Sequence, residues 1–196
     1  MTARLVVLAS GSGSTLHAIV QAAAAGDLDA EVVAAGTDRP GCRAMQLADE
    51  AGVSTFAVSF ADFADRAIWD AALAEAIAGY RPDLVLLAGF MRVLAADTVE
   101  RFDIVNTHPS LLPSFPGGHA IPDALAHGVT LTGVTVHRVD AGLDSGPILA
   151  QAAVQVLPGD TADSLRERIQ AVEKPLYIKT IRELCSAITP RGVSTP

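Results

Sequence analysis

Two polar side chains near the middle of the chain have the types and the spacing needed to act on one carbonyl group. Asn106 and His108 are two residues apart at the end of a short apolar run, and Pro109 follows directly. Residues two apart in an extended segment project from the same face, so the amide and the imidazole can converge on one oxygen. Together they could stabilise the negative oxygen that forms when a nucleophile attacks a carbonyl carbon.

A carboxylate further along the chain is the natural partner for this histidine. Asp144 lies in a turn, residues 140–147, that is rich in glycine and closes with proline. A nearby carboxylate orients a histidine, keeps it charged or relays its proton. An Asx turn ahead of Ser145 explains the same aspartate without any chemistry, and the spacing leaves both interpretations open. A lone histidine is more often a packed structural residue, and only its conjunction with Asn106 favours catalysis.

A glycine-rich segment near the start of the chain, residues 10–15, is a candidate anion site. It follows a predicted buried strand and opens a predicted helix, where free backbone N–H groups and the positive helix end meet. Leu16 stands where a dinucleotide fingerprint requires glycine, the Walker lysine is absent, and Ser10 stands where a nucleophile elbow built on Ser12 needs glycine. A phosphate site and a tight turn of small residues therefore remain about equally supported by this segment.

The elements that must position these residues follow an alternating pattern typical of parallel βα units. Predicted strands cover residues 4–9, 31–37, 54–58, 83–88, 104–107, 130–138 and 148–156. Predicted helices cover residues 14–25, 41–51, 62–78 with Asp62 as its cap, 96–101, and a last one from about residue 160. Prolines and two adjacent glycines predict an ordered loop over residues 108–122.

The composition predicts a single-domain protein and argues against nucleic-acid, membrane and metal binding. The chain has 196 residues, half of them apolar, which predicts one domain over residues 1–188 and a flexible tail over 189–196. A net charge of −8 argues against a nucleic-acid partner. Cys42 and Cys185 form no paired motif, which fits a reducing compartment. The N-terminus carries no leader pattern, and no apolar run is long enough to cross a bilayer. We therefore expect a cytoplasmic protein without membrane contact. No ligand spacing predicts a metal.

Five stretches, taken together, resemble the glycinamide ribonucleotide formyltransferase family, the folate-dependent formyltransferases of purine synthesis. The resemblance is carried, in order along the chain, by residues 8–14, 87–94, 106–113, 135–137 and 143–148. It implies a single-domain α/β, Rossmann-like formyltransferase fold, with a mostly parallel, twisted, seven-stranded sheet and helices on both faces. It also implies transfer of formyl from 10-formyltetrahydrofolate to the amine of glycinamide ribonucleotide, by a monomer or homodimer that uses no metal.

The same resemblance assigns roles to individual residues. It implies a phosphate-binding half at about residues 1–100 and a folate-binding, catalytic half at about 101–188. The implied catalytic trio is Asn106, His108 and Asp144. The ribonucleotide would contact Gly13, Ser14, Thr15, Pro109 and Glu173. The folate would contact Arg66, Met91, Arg92, Val93, Leu94, Val99, Ile104, Asp140 and Asp144. Glu173 taken alone reads as a solvated carboxylate, Arg66 as a surface charge, and the apolar residues as ordinary core.

Several rival functions remain. Methionyl-tRNA formyltransferase and formyltetrahydrofolate hydrolase share the trio, but the first carries an additional C-terminal domain and the second an N-terminal regulatory domain, and we expect neither here. A sensor of a phosphorylated metabolite could use residues 10–15 alone. A serine hydrolase built on Ser110, His108 and Asp144 is the weakest alternative, because adjacent positions on a proline-bounded loop match no known triad order.

Overall fold

A computed structural model describes residues 2–188 and contains the predicted strands, each end within one residue of its expected position. The strands are β1 (Ala3–Leu8), β2 (Ala30–Thr37), β3 (Thr55–Ala57), β4 (Leu84–Leu87), β5 (Ile104–His108), β6 (Leu131–Arg138) and β7 (Ile148–Gln155). The helices are α1 (Ser14–Ala24), α2 (Arg43–Glu50), α3 (Arg66–Gly79), α4 (Ala96–Arg101), α5 (Ala120–His127) and α6 (Ala162–Ala187). The predicted tail, residues 189–196, lies outside the described residues.

The strands form one seven-stranded sheet in the order β3-β2-β1-β4-β5-β6-β7. The pairs from β3 to β5 are parallel, whereas β6 is antiparallel to both of its neighbours. After β1 the chain builds outward through β2 to β3, and then returns to place β4 on the other side of β1. The direction of winding therefore reverses between β1 and β4, and the carboxyl ends beside such a reversal are where ligands bind in open α/β sheets.

Both faces of the sheet are buried, which explains why the first strands are almost continuously apolar. Along β1, Leu5 and Val7 belong to the core beneath α1, α2 and α6. Val6 and Leu8 belong to the opposite core beneath α3. A smaller core joins α5 and α6 to β6 and β7. The expected architecture, with helices on both faces of a mostly parallel sheet, is confirmed.

Helix α6 is anchored to the centre of the sheet by one buried phenol. The hydroxyl of Tyr177 donates to the carbonyl oxygens of Leu87 at 3.2 Å and Val105 at 2.9 Å. Complete burial raises the pKa of Tyr177 well above its ordinary value, so the phenol remains a hydrogen-bond donor. These contacts fix α6 across β4 and β5, and thereby fix the position of Glu173 one turn earlier on the same helix.

Two local predictions were wrong. Helix α5 begins at Ala120, inside the segment predicted as loop. Pro122 occupies its third position, where proline is tolerated because the N–H groups in the first turn of a helix have no partner within the helix. Helix α3 is capped by Asp65, whose carboxylate accepts from the N–H of Ile68 at 2.9 Å, whereas Asp62 closes a short 3-10 turn. Within residues 2–188, we find no helix with the length and apolar character needed to cross a membrane.

Candidate active site

A cavity of about 230 Å³ opens at the carboxyl edge of the sheet, between the ends of β4 and β5 and the turn at residues 140–147. All three members of the predicted catalytic trio line it, and so does Pro109. The segment after β4 forms the opposite wall, with Met91, Arg92, Val93 and Leu94. The cavity draws on both halves of the chain.

His108 is buried at the end of β5, with each ring nitrogen facing an acceptor. Its Nε2 lies 2.8 Å from the carbonyl oxygen of Phe115, and its Nδ1 lies 3.3 Å from Oδ2 of Asp144. A carbonyl oxygen only accepts, so Nε2 must carry a proton in this arrangement. Because Nδ1 faces an anionic oxygen, the doubly protonated ring satisfies both contacts. The geometry thus suits a histidine that presents positive charge to the cavity.

Asp144 is the centre of charge in the cavity and stays ionised. Its Oδ2 accepts from the N–H of Gly117 at 2.7 Å, and its Oδ1 lies 3.6 Å from Nε2 of His137. His137 makes the largest contribution to lowering the pKa of Asp144, followed by the Gly117 amide and the charge of His108, against the opposing effect of burial. Because 3.6 Å exceeds a normal hydrogen-bond length, we describe the His137 contact as electrostatic attraction, not a formed hydrogen bond.

His137 is a buried member of the site that inspection of the sequence did not select. It lies opposite Asn106 in the β5–β6 register, with its Nε2 3.2 Å from Nδ2 of Asn106. Its Nδ1 donates to the carbonyl oxygen of Arg138 at 2.8 Å. This contact fixes the side-chain amide of Asn106, which lines the cavity. The only sequence signal was that His137 falls in one of the five resembling stretches.

The loop after β5 contacts the catalytic trio from one side. Thr135 organises it, because its hydroxyl donates to the carbonyl oxygen of Ser110 at 2.7 Å and accepts the N–H of Leu112 at 3.0 Å. The same loop supplies the Phe115 carbonyl to His108 and the Gly117 amide to Asp144. The hydroxyl of Ser110 is fully buried and donates to Ser114, which leaves it out of reach as a nucleophile.

The glycine-rich segment forms a tight turn into α1. Gly13 has φ of +77° and is the residue before the helix, and a Cβ there would lie 2.5 Å from Cα of Ala44 on α2. Only glycine suits that combination of backbone angle and close approach. The N–H groups of Ser14 and Thr15, in the first turn of α1, have no partner within the helix. This end of the helix is therefore built to present backbone donors.

Glu173 and Thr15, 158 residues apart, meet beside this turn. The Thr15 hydroxyl donates to Oε1 of Glu173 at 3.2 Å. Burial raises the pKa of Glu173, and the Thr15 hydroxyl and the charge of Lys174 only partly oppose that effect. Thr15 and Glu173, two of the predicted ribonucleotide residues, are thus brought together, and burial makes the carboxylate costly to hold in its charged form.

Replacing this carboxylate by its amide should stabilise the free protein. A carboxyl group with a folded-state pKa above its unfolded value stabilises the fold below the unfolded pKa, and this stability is lost as pH rises through the folded pKa. We expect Glu173→Gln to unfold at a higher temperature than the wild type at neutral pH, with the difference shrinking as pH falls towards about 4. Thermal unfolding over a pH series measures this, with the exposed Glu167→Gln on the same helix as control. Identical behaviour of both variants would contradict the prediction.

Two of the predicted folate residues have their charged groups committed within the protein. Arg66 pairs with Asp70 at 2.8 Å and donates to the carbonyl oxygen of Val93, at the edge of the cavity wall. Asp140 accepts from the N–H of Gly142 at 3.1 Å and so organises the turn that carries Asp144. Both residues therefore hold in place a segment that lines the cavity.

Two further predicted folate residues do not line the cavity. Ile104 is 1% exposed and Val99 is partly buried, and both pack in the core cluster that contains Phe90 and Leu94. Any effect of these two residues on a ligand must act through the wall in front of them. By contrast, Met91 and Val93 are 65% and 58% exposed, so this part of the wall offers apolar surface directly.

An amide, an imidazole and a carboxylate at the strand ends of a doubly wound sheet define an α/β group-transfer enzyme. A family model described as formyl transferase matches residues 3–181. The phosphoribosylglycinamide formyltransferase of Mycobacterium tuberculosis (strain H37Rv) is 52% identical, over 94% of this chain and 86% of that protein. The Escherichia coli K12 protein of the same name is 38% identical, over 88% of this chain and 82% of its own length.

A solved structure agrees with these sequence matches. Glycinamide ribonucleotide transformylase 1 from Symbiobacterium toebii superimposes with a TM-score of 0.92 at 43% identity, covering 97% of this chain and 92% of that one. The chain belongs to the formyl transferase family and, within it, to the phosphoribosylglycinamide formyltransferases. The family resemblance inferred from the sequence is thereby confirmed.

Proposed function

We propose that the chain transfers the formyl group of 10-formyltetrahydrofolate to the amine of 5'-phosphoribosylglycinamide, in the synthesis of purine nucleotides. The products are 5'-phosphoribosyl-N-formylglycinamide and tetrahydrofolate. The observation that carries the proposal is the cavity in which Asn106, His108 and Asp144 converge, at the same edge of the sheet as a helix N-terminus suited to a phosphate. The family membership supports the same reaction.

The chemistry proceeds through a tetrahedral species. The neutral amine attacks the formyl carbon, a C–N bond forms, and the carbonyl oxygen becomes negative. Asn106 donates a hydrogen bond to that oxygen, and the positive charge of His108, whose two ring nitrogens face Phe115 and Asp144, stabilises it. The amine then loses a proton, the bond from the carbon to folate N10 breaks, and N10 gains a proton. The balance of atoms and charge needs no metal and no redox partner.

The lowered pKa of Asp144 decides between two roles for this residue. A carboxylate with a depressed pKa is a weak base, so it is poorly suited to take the proton of the amine and hold it. It is well suited to stabilise the charge of His108, whose Nδ1 lies 3.3 Å away. We therefore assign Asp144 mainly to holding that charge, while water beside it passes the proton from the amine to N10.

The two substrates occupy opposite sides of this centre. The ribonucleotide phosphate binds the backbone amides of Gly13, Ser14 and Thr15, and Pro109 and Glu173 line the path to its amine. The folate ring system lies along Met91, Arg92, Val93 and Leu94, with its glutamate end toward Arg66. Both free thiols fit a reducing compartment, and we propose the cytoplasm. A monomer or homodimer without nucleic-acid or membrane partners completes the proposal.

A direct assay tests the reaction. Purified protein is incubated with 10-formyltetrahydrofolate and glycinamide ribonucleotide, and the formylated ribonucleotide is quantified. Formate release with water as the only acceptor is measured in parallel, which separates a transferase from a hydrolase. Formate release as fast as transfer would favour the hydrolase instead, and binding of the ribonucleotide without turnover would favour a sensor.

The phosphate assignment makes its own prediction about Ser14. Because backbone amides supply the contact, Ser14→Ala should leave the KM for the ribonucleotide nearly unchanged. Ser14→Leu places a bulky side chain at the same helix end and should raise that KM about tenfold, the scale of a favourable anion contact at a helix terminus. Steady-state kinetics on both variants measures the contrast. Equal KM values for the alanine and leucine variants would count against a phosphate at this turn.

A further inference from the structure

A buried carboxylate outside the cavity connects the two substrate subsites. Asp38 directly follows β2, and its side chain is only 1% exposed. Its Oδ1 accepts the hydroxyl of Ser10 at 2.5 Å, and its Oδ2 accepts Nε–H of Arg92 at 2.7 Å. Ser10 begins the glycine-rich turn, whereas Arg92 belongs to the folate wall. One side chain thus bonds both segments at the reversal between β1 and β4.

Three additional contacts make the connection rigid. The hydroxyl oxygen of Ser10 accepts the backbone N–H of Met91 at 3.0 Å, and the N–H of Ser10 donates to the carbonyl oxygen of Gly89 at 3.1 Å. The guanidinium of Arg92 is also held over the ring of Phe60, 4.7 Å from its centroid. Its charged end is therefore committed to the protein, and a ligand in the cavity meets its backbone and its stem.

We propose that Asp38 is a positioning residue that holds the ribonucleotide turn and the folate wall in fixed relation. This inference rests on the proposed function, because it assigns the two segments to two substrates. Rates of bond formation depend steeply on the geometry of two bound reactants, so fixing the distance between their subsites has a direct kinetic benefit. Only Asp38 is fully buried, whereas the Arg92 side chain is 32% exposed, so the ion pair by itself is weak evidence for a role in stability.

Four variants separate the two hydrogen bonds of Asp38. Asp38→Asn keeps an oxygen for the Ser10 hydroxyl but sets an amide N–H against Arg92. Asp38→Ala removes both hydrogen bonds. Ser10→Ala removes only the bond to the glycine turn, and Arg92→Ala removes only the bond to the folate wall. Asp160→Asn is the matched control, because Asp160 is 5% exposed, pairs with Arg168 at 2.8 Å and lies outside both subsites.

The expected result is a pattern across the two Michaelis constants. Asp38→Asn and Arg92→Ala should raise the KM for 10-formyltetrahydrofolate about tenfold and leave that for the ribonucleotide near its wild-type value. Ser10→Ala should chiefly raise the ribonucleotide KM, and Asp38→Ala should raise both. In Asp38→Ala, kcat at saturating substrate should also fall by about tenfold or more, because the bound substrates lose their alignment. Asp160→Asn should alter neither KM.

Calorimetric binding of tetrahydrofolate gives a readout independent of turnover. Weaker binding by Asp38→Asn, with normal binding by Asp160→Asn, supports the positioning role. If Asp38→Asn and Asp38→Ala only lower the unfolding temperature, as the control does, while both KM values and folate binding stay unchanged, the role is refuted. Wild-type protein that binds folate but yields no formylated ribonucleotide would refute the proposed function instead. The two failures are therefore distinguishable.

Discussion

Asp144→Asn should lower kcat for formyl transfer by about a thousandfold, within the range typical of an acid–base or charge-holding group. The amide has the same shape and keeps one oxygen for the N–H of Gly117, so the turn and both substrate subsites should remain in place. What is lost is the negative charge 3.3 Å from Nδ1 of His108. The KM values of both substrates should consequently change far less than kcat, which single-turnover and steady-state kinetics measure together.

The lowered pKa of Asp144 also predicts how the loss of activity in this variant depends on pH. Asp144 has a folded pKa below its ordinary value, so its charge is present above its unfolded pKa and is lost only as pH falls through the lower folded value. The titration of Asp144 itself should therefore add no pH dependence to the deficit of the variant between about pH 5 and 9. Asp140→Asn, in the same turn, should chiefly raise the KM for folate. Turnover by Asp144→Asn within about tenfold of the wild type would remove this carboxylate from the mechanism.

The features that local sequence pattern predicts correctly are those fixed by neighbouring residues. Strand β5 is short and apolar, and its two-residue periodicity places Asn106 and His108 on one face, where both line the cavity. The parallel pairing of β1 to β5 follows from the alternating strands and helices in the first half of the chain. Helix α5 was missed because prolines and glycines dominate the segment before it. The better signal was Gly128, whose φ of +75° ends that helix.

Contacts across the sheet could not be predicted in this way. His137 meets Asn106 only because β6 runs antiparallel to β5 in one register, and a shift by one residue would turn the imidazole to the other face. The contact of Asp38 with Ser10 and Arg92 likewise depends on β1, β2 and β4 being adjacent. Such residues carry no motif of their own, so their roles emerge from the topology.

His108→Gln should reduce kcat by about 10²–10³, the scale of losing one group that stabilises a developing oxyanion. Glutamine can still donate an N–H, but it cannot carry the charge that the Phe115 carbonyl and Asp144 jointly favour. His127→Gln is the matched control, because His127 is exposed on α5 and contacts the same Phe115 through its ring, 5.8 Å between centroids. The control should transfer formyl at the wild-type rate, and a loss within tenfold in His108→Gln would contradict the assigned role.

A double variant tests whether Asn106 and His108 act on one atom. If both side chains stabilise the same oxygen, Asn106→Ala combined with His108→Gln should lose less than the product of the two single effects, because groups that act as a unit are not additive. Residual transfer should then reflect substrate alignment alone. Strict multiplication of the two losses would mean that the amide and the imidazole stabilise separate charges. In that case Asn106, 3.2 Å from Nε2 of His137, would more simply serve to orient the substrate.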